Sequence, residues 1–281
     1  MASCPVVVKC LQPVFIKTHS LAVNKTEYTM ALFQSGNPAL GEKTFQGLSI
    51  AGTGGEVMTA QGTMRKLGLL LLLMMGAAFY TWSGFFKGQN VQPLMWIGVI
   101  GGLIVALVIT FKKEWAGYLA PAYALLEGLF IGAISALYDY IFAESMPGII
   151  MNAVGLTVGT AVAMFLLYNF RIIKATERFK SVVITATMGI AIFYGITMLL
   201  RLFGVQVPFM HDSSWLGIGI SLFVVGIAAL NLILDFDMIE QGAAQGAPKY
   251  MEWYGAFGLM VTLVWLYLEI LRLLSRFASR D

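Results

Sequence analysis

Charge is what this sequence has least of. Only 12% of its 281 residues are Asp, Glu, Lys or Arg, against about 25% in soluble domains. With 58% hydrophobic residues and a mean hydropathy of +0.79, the surface cannot be one that faces water throughout, and the chain reads as a polytopic membrane protein. Cysteine is nearly absent. Cys4 and Cys10 are the two there are, so a disulfide framework is excluded for the rest of the chain, and no CxxC or Cys/His metal spacing exists. The two histidines, His19 and His211, do not make a metal site together. No cofactor and no resident metal are expected. The bases are scattered at the ends of apolar runs rather than clustered with exposed aromatics, so nucleic acid is not an expected partner. Catalytic signatures are missing as well. There is no HExxH, no Walker loop and no GxSxG, and GTGGE at 52–56 does not open a strand–helix unit and reads as a linker. The expectation is a protein that is not an enzyme.

What is present is a series of long apolar runs behind a leader of different composition. Residues 1–64 are of another composition, and residues 1–29 have no helical period and no run long enough to span. Lys9 and Lys17 interrupt the apolar stretches, which argues against a signal peptide. The Gly-, Ser- and Thr-rich part from Met30 onward reads as a flexible cytosolic tail. Two readings of residues 1–29 stand: an ordinary disordered leader, or translation beginning at Met30.

A spanning helix needs roughly 20 apolar residues. Seven runs meet that length, at 67–86, 94–111, 116–138, 148–168, 181–204, 215–234 and 251–274, with an extension of the sixth to about residue 240 left open. The runs do not alternate with period two, which excludes transmembrane strands. The expected domain organisation is a tail over 1–64 and a seven-helix bundle over 65–281. Gly and Ala recur inside the runs, in GVIGG, EGLFIGAIS, GLTVG and GIGIS. Small residues let helix backbones approach closely in lipid, and packing rather than ligand binding is the expected role. Asn152 and Asn231 are expected to hydrogen-bond between helices, and Arg201 to extend toward the surface.

Lys and Arg near span ends set orientation. With the N-terminus inside, the inner segments carry Arg65, Lys66, Lys112, Lys113, Arg171, Lys174, Arg178 and Lys180, and the outer ones Lys87 and Arg201. Arg272, Arg276 and Arg280 then fall outside. Either the seventh run stops short of crossing or this basic end is an exception; seven spans are kept.

Four acids lie in or beside apolar runs: Glu127, Asp235, Asp237 and Glu269. An aspartate at the centre of a membrane helix costs about 2.5–3.5 kcal/mol on insertion scales, and such groups usually face the bundle interior and mark ion paths or proton relays. Asp235 and Asp237 point about 200° apart on a helix and cannot share a proton as an intimate pair. If the sixth helix ends near Glu240, Asp235 lies about 7 Å below that end, and burial would tie its charge to pH. Glu269 precedes Arg272 by three residues, the spacing of an intrahelical ion pair.

The ordered set of features resembles the Bax inhibitor-1 family, also called the transmembrane Bax inhibitor motif family. It consists of seven spans, LEGLFIGAIS followed by Tyr138 in span 3, LDFDMI at the end of span 6, and a last span with GAF and LRLL. The resemblance covers roughly residues 67–275 and looks like the bacterial branch with a longer N-terminal tail that includes NPAL at 37–40. It implies an all-α fold of six helices around a central seventh, and a pH-sensitive calcium leak gated by two aspartates, one on span 6 and one on span 7. The first carries over to Asp235, with Ile239 four residues on. At the second position the ungapped match over 255–274 places Thr262. Glu269 lies on nearly the same face two turns further, but about 28 Å up its span against about 7 Å for Asp235, too far apart to share a proton. The basic latch residue that the family places in span 2 has no counterpart here beyond Lys112 at its end. Glu127, about 16 Å up span 3, is the better candidate for a second buried acid.

Two functions follow as expectations. One is a proton-sensitive leak for calcium or another cation in the inner membrane of a bacterium, with the N-terminus cytoplasmic. Asp235, Glu127, Asp237, Thr262 and Glu269 are its candidate ion- or proton-sensing residues. The other is a regulator without flux that binds another membrane complex, for instance a quality-control protease. The expected partners are therefore the lipid bilayer, calcium ions or protons, and another membrane protein.

Overall fold

The structure is a computed structural model that describes residues 56–204 and 215–280, the side chains of residues 201 and 202 excepted. The cysteines, both histidines, Met30 and residues 37–40 lie outside the described residues, as does all but Glu56 of the glycine-rich linker. Seven helices account for the described fold: α1 Ala60–Phe86, α2 Gln92–Phe111, α3 Ala116–Ile141, α4 Ile149–Asn169, α5 Glu177–Leu202, α6 Trp215–Ala244 and α7 Met251–Ala278. All seven are long and apolar enough to cross a membrane. The α-helix is the form the composition dictates, because in lipid each backbone N–H and C=O must find its partner within the segment.

Two boundaries differ from expectation. The bundle starts earlier than residue 65: Thr59 caps α1 by accepting the Gly62 N–H, and Met58 ahead of it is buried at 1% exposure. At the other end, α6 runs on to Ala244, which sinks Asp235 about 14 Å from the helix end rather than about 7 Å.

α7 is the centre. The helices α1, α3, α4 and α6 pack along it, α2 lies over α3, and α5 lies on α6. α5 also reaches α7 through the Tyr194 hydroxyl, which donates to Glu269 at 3.0 Å. Cross-links of small polar groups hold the centre in register. Ser135 of α3 and the Tyr267 hydroxyl of α7 lie 2.6 Å apart, and Asn231 of α6 donates to Thr187 of α5 at 2.8 Å. Asn152, in contrast, is exposed in the first turn of α4.

The glycine-bearing segments divide into two kinds. Gly128 and Gly132 of α3 press against the backbone of α1 at Met74 and Ala78, and Gly98 of α2 presses against the backbone of α3 at Leu126 and Phe130. A side chain there would separate the helices. Gly155 and Gly159 of α4 have nothing within 4 Å of a Cβ position, so the tight-packing expectation fails for GLTVG. We therefore expect Gly132→Val to destabilise the protein by about 1–3 kcal/mol, as overpacking does. Gly159→Ala should be neutral or stabilising by up to about 1 kcal/mol. Thermal melts of the two variants in detergent micelles check the opposite signs.

Candidate functional site

The site is built on the seam between α6 and α7. The two helices run antiparallel from a short connection, and near it Gly255 of α7 packs against Ile239 of α6. A Cβ on Gly255 would stand 3.3 Å from Ile239 Cγ1. Residues four apart share a helix face. Asp235 is thus on the Ile239 stripe of α6, and Leu259 and Thr262 continue the Gly255 stripe of α7. Asp235 is 0% exposed. Counting from the connection, Asp235 lies about 14 Å up α6 and Thr262 about 16 Å up α7, so the two share a depth. Thr262 is buried, and its hydroxyl donates to the Gly258 carbonyl at 3.4 Å.

The other candidates separate from this seam. Glu127 sits at a similar depth, about 16 Å up α3, but turns toward α2. Its Oε2 is 3.3 Å from a Cβ position on Gly102, and Tyr123 one turn earlier lies against the same glycine. The main neighbours of α3 are α1, α2 and α7, and Glu127 looks toward α2 rather than into the α6–α7 seam. Glu269 is 1% exposed and belongs to the far end of α7. It accepts from Arg272 at 2.8 and 2.9 Å, from Tyr194, and from Trp265 Nε1 at 3.2 Å. Arg272 also donates to the Tyr194 hydroxyl at 2.7 Å and lies over that ring. This closed set of partners offsets the desolvation of the buried Glu269 carboxyl, while the Arg272 side chain stays partly exposed. It leaves Glu269 a structural pair rather than a partner for Asp235.

Asp237 anchors a polar cluster where α4 and α6 end and α5 begins. It pairs with Lys180 at 3.0 Å and accepts from Gln241 at 2.6 Å and Tyr168 at 3.4 Å. Lys180 is buried and also reaches Glu177 at 3.4 Å. One turn along, Glu240 accepts from the Tyr168 hydroxyl and from Arg171. Arg171 adopts a left-handed backbone, φ 56°, unusual for a residue with a side chain, which turns the chain at the end of α4. The hydrogen bond to Glu240 comes first among the causes that hold its guanidinium above the ordinary value, so this cation keeps its charge. Among the described residues no three His, Cys, Asp or Glu side chains gather closely enough to hold a metal ion.

A profile of the Bax inhibitor 1 like family matches residues 12–279. The chain belongs to that family. The match includes the whole helical bundle and extends upstream through residues 12–66, beyond the stretch on which the resemblance rests. No curated protein and no solved structure matches the chain. As a Bax inhibitor 1 like chain with seven apolar helices, it is a multi-pass integral membrane protein.

Sequence reasoning missed Glu252, which is 1% exposed in the first turn of α7. It accepts from the Thr59 N–H and hydroxyl, both at 2.9 Å, and pairs with Lys66 at 2.7 Å and Lys249 at 3.4 Å. The acid beside a basic stretch, PKYMEWY, was the available signal, but it reads as an ordinary helix start. Lys180 was read as an orientation marker and is in fact a buried partner of Asp237. Removing one member of a buried pair strands the other. Lys180→Met should cost about 3 kcal/mol, and the Lys180→Met, Asp237→Asn double variant less than the sum of the single losses. Equilibrium unfolding of the four proteins in micelles checks this coupling.

Proposed function

We infer that this Bax inhibitor 1 like protein is a cation leak whose conductance follows the protonation of Asp235. The observation that carries the reading is a carboxyl with 0% exposure about 14 Å inside a helix apolar enough to span, on the α6 stripe that abuts the central helix. An ionisable group in that position is expensive and marks an ion or proton path by default. Neutral, it leaves the seam apolar. Ionised, it places a negative charge beside the seam and favours a cation there, because a charge at that depth must be offset by an opposite charge or by polar atoms. The Thr262 hydroxyl and helix carbonyls at the same depth supply further oxygen atoms. Calcium prefers six to eight oxygens, several from carboxylates, and one aspartate with a threonine falls short of a resident site. A leak needs only weak sites that an ion can leave, so calcium or another cation passes without being stored.

The inner end of the bundle faces the cytoplasm in this reading. It carries Arg65, Lys66, Lys112, Lys113, Arg171, Lys174, Arg178 and Lys180, the bias expected of a cytoplasmic face, and the membrane is the plasma membrane of a bacterium.

A second reading, a non-transporting regulator bound to another membrane complex, is favoured by one observation. The position on α7 at which the family resemblance implies a second aspartate is Thr262 in this chain. Ion flux in proteoliposomes separates the two. A leak predicts cation flux that changes between mildly acidic and mildly alkaline pH in the wild type and loses that dependence in Asp235→Asn. Flux at the level of empty liposomes, in both proteins and at every pH, would leave the regulator.

A further inference from the structure

The four residues ahead of α1 form a strap across the connection between α6 and α7. The Met58 N–H donates to the Ala247 carbonyl at 2.7 Å, and the Lys249 N–H donates to the Glu56 carbonyl at 3.1 Å. Val57 and Pro248 form the β-bridge between them. The strap is antiparallel to the connection, so alternate side chains point to opposite faces. Val57 is exposed at 41%, and Met58 points inward at 1%.

Where Met58 goes is set by a glycine. A Cβ on Gly255 would stand 3.5 Å from Met58 Cε, 3.3 Å from Ile239 Cγ1 and 3.2 Å from Thr63 Cγ2. Met58 therefore fills the point where α1, α6 and α7 converge, at the end of the α6–α7 seam. Ile239 is one turn below Asp235 on the same stripe. Any approach to Asp235 along the seam from the connection passes Ile239 and Gly255, and Met58 closes it. An unbranched methionine can withdraw from such a slot without a shift of helix backbone.

What holds the strap is Glu252. Its Oε1 accepts from both the N–H and the hydroxyl of Thr59, the residue after Met58, and its Oε2 pairs with Lys66 of α1. The carboxylate also lies against Gly62, where a side chain would collide with it. One buried acid at the start of the central helix thus fastens the strap, the first turns of α1 and, through Lys249 at 3.4 Å, the connection itself.

We propose that residues 56–59 are an access plug for the buried aspartate: Met58 seals the connection end of the α6–α7 seam, and Glu252 is the latch that keeps it seated. The plug regulates the site of the proposed leak and takes from that reading only the importance of Asp235. Its test reads access to the seam rather than flux, so either idea can fail without the other.

The test uses the full chain with Cys4→Ser and Cys10→Ser, reconstituted in nanodiscs. Leu259→Cys reports on the seam at the level of Asp235. Ser135→Cys, on the α3–α7 face, reports on the bundle at large. A charged methanethiosulfonate reagent is the probe. With the native strap both reporter thiols should react slowly. Met58→Gly and Glu252→Gln should each speed modification of the seam thiol by about tenfold or more, the effect of a local opening, and leave the α3 thiol protected. Met58→Leu, which conserves volume, should keep the seam thiol slow. Equal rates at the seam thiol in the native, Met58→Gly and Glu252→Gln strap backgrounds would overturn the proposal. So would a parallel rise at the α3 thiol, which would make the strap a general stabiliser rather than a plug.

Discussion

The close approach of α7 to α6 at Gly255 and Ile239 is the constraint around which the bundle is arranged. Without a Cβ at 255, the side chains of Thr63, Ile239 and Met58 can all meet α7 just beyond the connection. The stripes above that point, Asp235 on α6 with Leu259 and Thr262 on α7, are buried in the centre of the bundle. The other helices complete the enclosure. α1 and α4 pack along both members of the pair, and α3 is locked to α7 by Ser135 and Tyr267. α3 in turn can lie close to α1 because Gly128 and Gly132 carry no side chain. A titratable group with 0% exposure is the consequence of this packing.

The charges are sorted by depth and by partner. At the far end of α7, Glu269 is enclosed by Arg272, Tyr194 and Trp265. At the connection end, Asp237, Glu240 and Glu252 each hold a cation. These pairs do different structural work: the first joins α5 to α7, the second group ties α4, α5 and α6, and the third fastens the strap to α1 and α7. Between the two charged ends lie two acids at one depth on different helices. Asp235 faces the central seam, whereas Glu127 faces the glycine face of α2. With Thr262 rather than an acid across the seam from Asp235, this chain departs from the two-aspartate arrangement that its family resemblance implies.

Seven spans were legible because each is a run of about 20 apolar residues, and a lipid environment leaves such a run one regular conformation. The Glu269–Arg272 pair was legible because both partners lie on one helix at a local spacing. The end of α6 was not. The sixth run is bounded at 234 with an extension to about 240 left open, yet the helix runs to Ala244, and Lys180, Tyr168 and Arg171 hold Asp237 and Glu240 from α4, α5 and the loop between. That information is tertiary, and no window of sequence contains it. Glu127 shows a subtler limit, since position in a span gives the depth of a side chain but not which neighbour it faces. Glu252 was passed over because an acid in a first helical turn is ordinary, and only the fold brings Thr59 and Lys66 to it. The start of α1 was missed for the same reason. Residues 60–66 lack an apolar run, and the Thr59 cap with buried Met58 ties this first part of α1 to the bundle.

For the seam to act as a proton-controlled path, the enclosed carboxyl of Asp235 must take up and release a proton while the bundle stays folded. Infrared difference spectroscopy of the full chain in nanodiscs, with isotope-labelled aspartate, observes that event at the group itself. We expect a protonated carboxyl band that appears on acidification, shifts with the aspartate label and is missing in Asp235→Asn. A spectrum in which Asp235→Asn retains every labelled carboxyl band of the wild type would refute it.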